Sequence, residues 1–167
     1  GNVPAEAKPQ GMLCNDPNVP AIQANINQEG KVISTDMPRT NFCHWIMVDI
    51  AATDNEIAEG ACSKEVTIGG KKNPPGPEGS RQGLNDFTKF TASNPDMKGD
   101  YYGWDGACPP WNDELVHKYQ FIIYATDLDS CPVEGAFTAA DVSAAIEGHI
   151  LAEAHLCGTY TLNPALR

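Results

Sequence analysis

The sequence predicts one domain of the mostly β or α+β class, and three observations carry that reading. Apolar runs of strand length and composition occupy the first and third quarters, the one convincing helical pattern comes near the C-terminus, and nothing repeats at a fixed period. A chain of 167 residues suits a single hydrophobic core better than two.

In chain order, residues 11–14 read as a short strand running into 15–20, where Pro17 and Pro20 predict its end at a turn. Residues 42–50 are β-branched, aromatic and apolar almost throughout, and 119–125 repeat that character, as in strands buried on both faces or nearly so. Between them, residues 69–84 hold five glycines and three prolines and are a loop by composition. The region 96–114 is irregular but rich in aromatics, with Cys108-Pro109-Pro110-Trp111 at its centre, so it is expected to pack on the body of the domain. Thr138 and Asp141 form a helix-start signal, followed by Val142, Ala145 and Ile146 at helical spacing. Beyond Gly148 the helical reading continues through residues 150–156 to a stop at Gly158, as one helix or two, and 159–162 read as a final strand.

Composition excludes several classes of function. Hydrophobic and charged residues, at 41% and 20%, are near ordinary globular usage, which argues against disorder. No stretch approaches the roughly 20 apolar residues of a membrane span. A net charge of −11 repels nucleic acid and anionic lipid surfaces at long range, so a phosphate-bearing ligand must be caught locally in a pocket. The first residues carry no basic or hydrophobic leader segment, and six widely spaced cysteines without zinc-type spacing resemble core thiols of a reducing compartment. That favours the cytoplasm, with the periplasm open if a leader was removed and with one to three disulfides permitted by the even count.

Three polar residues stand out: Asp16 after the first strand, His44 inside an apolar strand, and His117 before another. A histidine in such a run is costly to desolvate without a hydrogen-bond partner, and Asp16 is a candidate partner. A satisfied structural histidine is the plainer reading. No serine sits in a G-x-S-x-G elbow. Among cysteines, Cys43 and His44 are expected on opposite faces of their strand, which leaves Cys108, in its loop, as the better nucleophile against the simpler reading of a buried, inert thiol. Asp16, His44 and His117 are also the right types for a two-histidine, one-carboxylate metal site, though no short ligand spacing supports one. His149, Glu153 and His155 lack the H-E-x-x-H order.

Taken together, several segments resemble the phosphatidylethanolamine-binding protein family, or Raf kinase inhibitor-like proteins, and most of all its bacterial branch. Asp16-Pro17-Asn18-Val19-Pro20 is similar to the family's D-P-D-x-P turn, and Pro38-Arg39 with Phe42 and His44-Trp45 to its P-R…F-x-H-W strand. Gly83-Leu84-Asn85-Asp86-Phe87 resembles G-x-N-D-[FY], Gly103 to Pro110 the G-x-x-G-P-x-P-P loop, and His117-Lys118-Tyr119 the H-[RK]-Y that follows. The stretches from Gly148 to Ala152 and from Gly158 to Tyr160 resemble the G-H-x-L-A…G-T-Y ending. Two departures are Asn18, which removes a charge while keeping Asx-type hydrogen bonding, and Ala107, where the family often has proline.

The resemblance implies a mostly β fold, a β-sandwich of two sheets with a C-terminal helical element. It spans residues 1–167 as a single domain from which the family's N-terminal strands are absent. It also implies a small-anion pocket at Asp16, His44, Gly106, Pro109, His117 and Tyr119, with imidazoles and loop N–H groups as donors. The expected role is a non-enzymatic binding protein for phosphate, phosphoethanolamine or a phospholipid head group, or an inhibitor-like interaction module whose protein partner is left open. No cofactor, nucleic acid or membrane span is expected. The rival is a hydrolase using Cys108 or a metal held by Asp16, His44 and His117.

Overall fold

A computed structural model describes residues 4–52, 56–62 and 66–167. Residues 1–3, the start of the stretch read for a leader, lie outside them. The strands are β1 (Gln10–Pro20), β2 (Arg39–Ile50), β3 (Gly70–Lys71), β4 (Arg81–Gln82), β5 (Asp100–Tyr101), β6 (His117–Thr126) and β7 (Ile150–Tyr160). Two sheets result: a five-stranded antiparallel sheet in the order β4-β2-β1-β6-β7 and a parallel pair, β3-β5. With two short α-helices among the described residues, α1 (Phe87–Phe90) and α2 (Ala139–Ile146), the domain is mostly β, as the sequence predicts.

The apolar run in β2 is buried continuously from Phe42 to Val48, because both faces of the sheet are covered there. On one face Cys43, Ile46 and Val48 join Leu13 beneath Val142 and Ile146 of α2. On the other, Trp45 and Met47 join Met12, Cys14 and Tyr119, with Trp104 and Ile57 packed against them. Cys43 and Ile46 share a face although three residues apart, which a regular strand forbids. The register explains it: Cys14 faces Trp45 while Asn15 faces Cys43, so His44 is the extra residue of a β-bulge. His44 and Trp45 both lie against the Trp104 ring, each 5.8 Å from its centroid.

Three expectations are corrected. β1 does not stop at the first proline but continues to Pro20, its register with β2 shifting between Asp16 and Val19, so that Pro17 falls in the irregularity, where a missing N–H does least harm. β6 is not buried on both faces: Ile122 is half-buried and Ile123 exposed. The segment 150–156 is strand, not helix. Thr138 and Asp141 do form the capping box of α2, but the chain leaves the helix at Glu147 and turns at Gly148, whose φ of +80° few other residues adopt readily. The ten residues of β6 then offer a free edge, and pairing from His117↔Tyr160 to Thr126↔Ile150 outweighs the helix propensity of alanine, glutamate and leucine.

Ile46, 2% exposed, sits at the centre of the α2 face of the core. Ile46→Ala is expected to cost about 3 kcal/mol by leaving a cavity, read as a lowered urea midpoint at unchanged slope.

Candidate functional site

One chain of buried polar contacts joins β1, β2, β6 and the loop before β6. His117 places Nδ1 at 2.6 Å from Asp16 Oδ2 and Nε2 at 3.1 Å from Asp113 Oδ2. Asp113 in turn accepts both terminal nitrogens of Arg39, at 2.5 and 3.1 Å, and the Leu115 N–H at 2.9 Å. All three central residues are essentially inaccessible, Asp16 and Asp113 at 1% and His117 at 0%. Burial works against the His117 imidazolium, but hydrogen bonds and charge from Asp16 and Asp113 prevail and raise its pKa above the ordinary histidine value. The two carboxylates thus favour the protonated form of His117, and Arg39 adds a guanidinium on Asp113, the kind of pairing that lets charge be tolerated in a core.

Asn18 ties the same strands together through its backbone and side chain. Its N–H donates to Asp16 Oδ1 at 2.8 Å, its carbonyl accepts Arg39, and its Oδ1 accepts the Lys118 N–H at 2.9 Å. The Asx-type bond of this turn is made by the Asp16 carboxylate, while the Asn18 side chain, expected to keep such local bonding, instead accepts from Lys118 across the sheet, for which a neutral amide oxygen suffices.

Beside this network lies a recess of about 100 Å³, several times the roughly 30 Å³ of a liquid water. Asp16, His44, His117, Tyr119, Cys108 and Pro109 line it, with Phe42, Phe87 and Phe90 as an aromatic wall. Of the residues the sequence singled out, Gly106 alone is not in the lining; it stands in the loop at φ +93°, with its carbonyl on the His44 side. His44 is the bulged residue, and its ring is packed among Phe42, Tyr119, Trp104 and Phe87 at centroid distances of 4.6, 5.1, 5.8 and 5.9 Å.

His44 and His117 differ in what they can do. Both nitrogens of His117 are taken by carboxylates, so it orients and charges the site. His44 Nε2 is 3.9 Å from Asp16 Oδ2, beyond hydrogen-bond length; the Gly106 carbonyl approaches the ring closely enough to favour its protonated form slightly, but among the described residues neither nitrogen makes a hydrogen bond of normal distance and angle. The partner suggested for His44, Asp16, is therefore spent on His117. Burial is the main cause that pushes the His44 pKa down to about 4, outweighing the nearby carboxylates of Asp16 and Asp86. At neutral pH His44 is an uncharged imidazole with one N–H and one lone pair. The Tyr119 hydroxyl is likewise buried and unpartnered, and burial holds its pKa well above the usual phenol range.

Cys108 borders the recess and is exposed, not buried, and the nitrogens of His44 and His117 make no hydrogen bond to it. All six cysteines are free thiols. Among the described residues no group of three or more His, Cys, Asp or Glu is arranged to hold a metal ion, and no helix is long and apolar enough to cross a membrane. His149 pairs with Asp127, and His155 with Glu153 on β7, both exposed and apart from the recess.

The family profile described as phosphatidylethanolamine-binding protein matches residues 1–161. The chain belongs to the phosphatidylethanolamine-binding protein family. Relatives named UPF0098 protein from Chlamydia muridarum and Methanothermobacter thermautotrophicus are each 32% identical over 95% of this chain, covering 77% and 76% of their own length. Among solved structures, a family homologue from Chlamydia trachomatis superposes with a TM-score of 0.63 at 25% identity, covering 96% of this chain and 76% of its own. Escherichia coli YbcL, described as a new member of the mammalian PEBP family, gives 0.61 at 26% identity, covering 95% of this chain and 74% of its own.

Sequence reasoning missed Asp113 as the second partner of His117 and gave Arg39 no role beyond its motif. Asp113 lies four residues before His117 but in a loop, where that spacing has no meaning until the fold is known. The two histidines also carry opposite pH signatures. Between pH 6.5 and 5 the unfolded chain protonates at position 44 while the folded chain, with His44 held near 4, does not. Stability is therefore expected to fall as the pH is lowered, with a slope from this group that approaches about 1.4 kcal/mol per pH unit near pH 5. His117 acts in the other direction: its raised pKa contributes stability that is complete below the ordinary value and lost as the pH rises through the folded one. Urea midpoints from pH 6.5 to 5 should decline in the wild type and flatten in His44→Gln.

Proposed function

We propose that the protein is a non-enzymatic binding protein whose recess holds a small oxyanion, phosphoryl in character and either free or on a head group. The observation that carries this reading is the pair of buried donors, His44 and Tyr119, that make no hydrogen bond of normal geometry among the described residues and stand on the wall of one recess. An unpaired buried polar group costs about 1–3 kcal/mol, and a ligand oxygen accepting from both groups removes that cost.

The surrounding charges make room for an anion. Asp16 is neutralised by His117, and its oxygens already accept hydrogen bonds from Asn18 and His117. An arriving oxyanion places His44 between two negative groups, itself on one side and Asp16 on the other, which favours the imidazolium that burial alone suppresses. Binding is then accompanied by proton uptake at His44, and the net charge of −11 matters only for the approach. The aromatic wall of Phe42, Phe87 and Phe90 admits the apolar part of a phosphoester beside its head. Inhibitor-like contacts with a protein partner are a further role of the family resemblance, to which no surface of this chain is assigned.

Inorganic phosphate or phosphoethanolamine at millimolar concentration should shift the imidazole NMR signals of His44 and His117, and unchanged spectra would refute the oxyanion recess. Sulfate, whose own charge is constant over the range, should bind more tightly as the pH is lowered from 7 toward the His44 pKa near 4. Tyr119→Phe should weaken it about fivefold, the loss of one hydrogen bond.

A further inference from the structure

We propose that Cys108 is a thiol-modification site directed by the recess. A small anionic disulfide, held by the recess donors, exchanges with the Cys108 sulfur, and the resulting mixed disulfide closes the recess to oxyanions. This inference rests on the oxyanion-binding reading above.

Two independent features meet at this residue. The first is exposure at a fixed position. In the segment 101–110 every residue is buried or half-buried except Cys108. The segment is pinned ahead of it, where Lys71 donates to the Trp104 carbonyl at 2.5 Å and lies 3.2 Å from Asp105, itself held at 2.6 Å by the Asn85 amide. Behind it, Pro109 and Pro110 are buried, and a following proline restricts the Cys108 backbone to extended conformations. The second is the ligand-seeking character of the recess that Cys108 borders. His44 and Tyr119 are each 4% exposed, and among the described residues the Tyr119 hydroxyl has no partner and the His44 nitrogens make no hydrogen bond of normal distance and angle.

No other cysteine combines these features. Cys14, Cys43, Cys62 and Cys131 are buried, and burial pushes the Cys43 thiol up to about 12, so these sulfurs stay protonated and inert. Cys157 is exposed on β7 but borders no part of the recess. An anionic disulfide anchored through its oxyanion at His44 and Tyr119 is thereby brought to Cys108 and not to Cys157. In the exchange, the Cys108 thiol loses its proton to solvent and its thiolate attacks one sulfur of the bound disulfide. The disulfide bond of the reagent breaks as the new bond to Cys108 forms, and the other half leaves as a thiolate, taking the electron pair. A thiol reductant reverses the step.

The test uses Cys157→Ser, which removes the competing exposed thiol. Labelling is followed with the dianionic aryl disulfide dithiobis-nitrobenzoate and with neutral dithiodipyridine. Inorganic phosphate should slow the dianionic reagent at Cys108. Adding His44→Gln should slow that reagent about tenfold, the loss of a hydrogen bond to a charged group, while the neutral reagent is unaffected. Tyr119→Phe, a smaller change, provides the same comparison should His44→Gln fail to fold. The mixed-disulfide form should no longer show phosphate-induced shifts of the His44 signals. If phosphate shifts those signals but neither phosphate nor the substitutions change the labelling ratio of the two reagents, the directed modification is overturned and the oxyanion site stands. If phosphate shifts nothing, both fall.

Discussion

The hydrogen bond between His117 and Asp16 is the contact on which the rest of the site depends. It spans 101 residues of sequence and links β6 to β1 at a point where β1 is about to lose its regular register. An isolated carboxylate at 1% exposure would be strongly destabilising, and so would an isolated imidazolium. Each is tolerated because of the other, and the chain continues outward through Asp113 to Arg39, whose side chain is 12% exposed. Removing one member strands a charge, so the network acts as a unit and not as a sum of pairs.

The second constraint is geometric. A regular β2 would send residues 43 and 45 to one face and 44 to the other. With the bulge, the chain turns Cys43, Ile46 and Val48 toward α2 and both His44 and Trp45 toward Trp104. His44 is thereby seated among aromatic rings, with its nitrogens beyond hydrogen-bonding reach of the charged network next to it. Had it paired with Asp16, it would resemble His117: charged, saturated and unavailable. The two histidines divide the work, one holding charge in place and the other remaining neutral with free bonding capacity.

That division bears on how an acidic protein can favour an anionic ligand. Long-range attraction is absent, and the local potential is balanced. What remains is a recess where a donor without a partner gains more from a ligand oxygen than from any group of the protein. In the proposed binding role, proton uptake by His44 supplies positive charge only when the ligand is present. The same recess has Cys108 at its edge, an exposed thiol beside the buried polar groups on which the proposed oxyanion role rests.

Much of this was legible in the residues. The apolar run of β2, the strand character of β6, the capping box of α2 and the glycine that ends it are local signals, and local physics determines them. Asp16, His44, Cys108, Pro109, His117 and Tyr119 could be selected because each is an unusual residue for its setting, a polar group in an apolar run or a rigid turn. The strand identity of 150–156 could not be read, since its residues suit a helix and only the open edge of β6 decides otherwise. Nor could the partners of the histidines. Asp113 and Arg39 acquire their roles through contacts 74 residues apart in sequence, and the bulge at His44 exists only as a relation between β1 and β2. By itself, the sequence determined the class of the fold and marked most of the polar residues that the recess brings together. The tertiary structure alone decided which histidine has its pKa raised and which has it lowered, because both follow from burial and neighbouring charge, and both are properties of the packed chain.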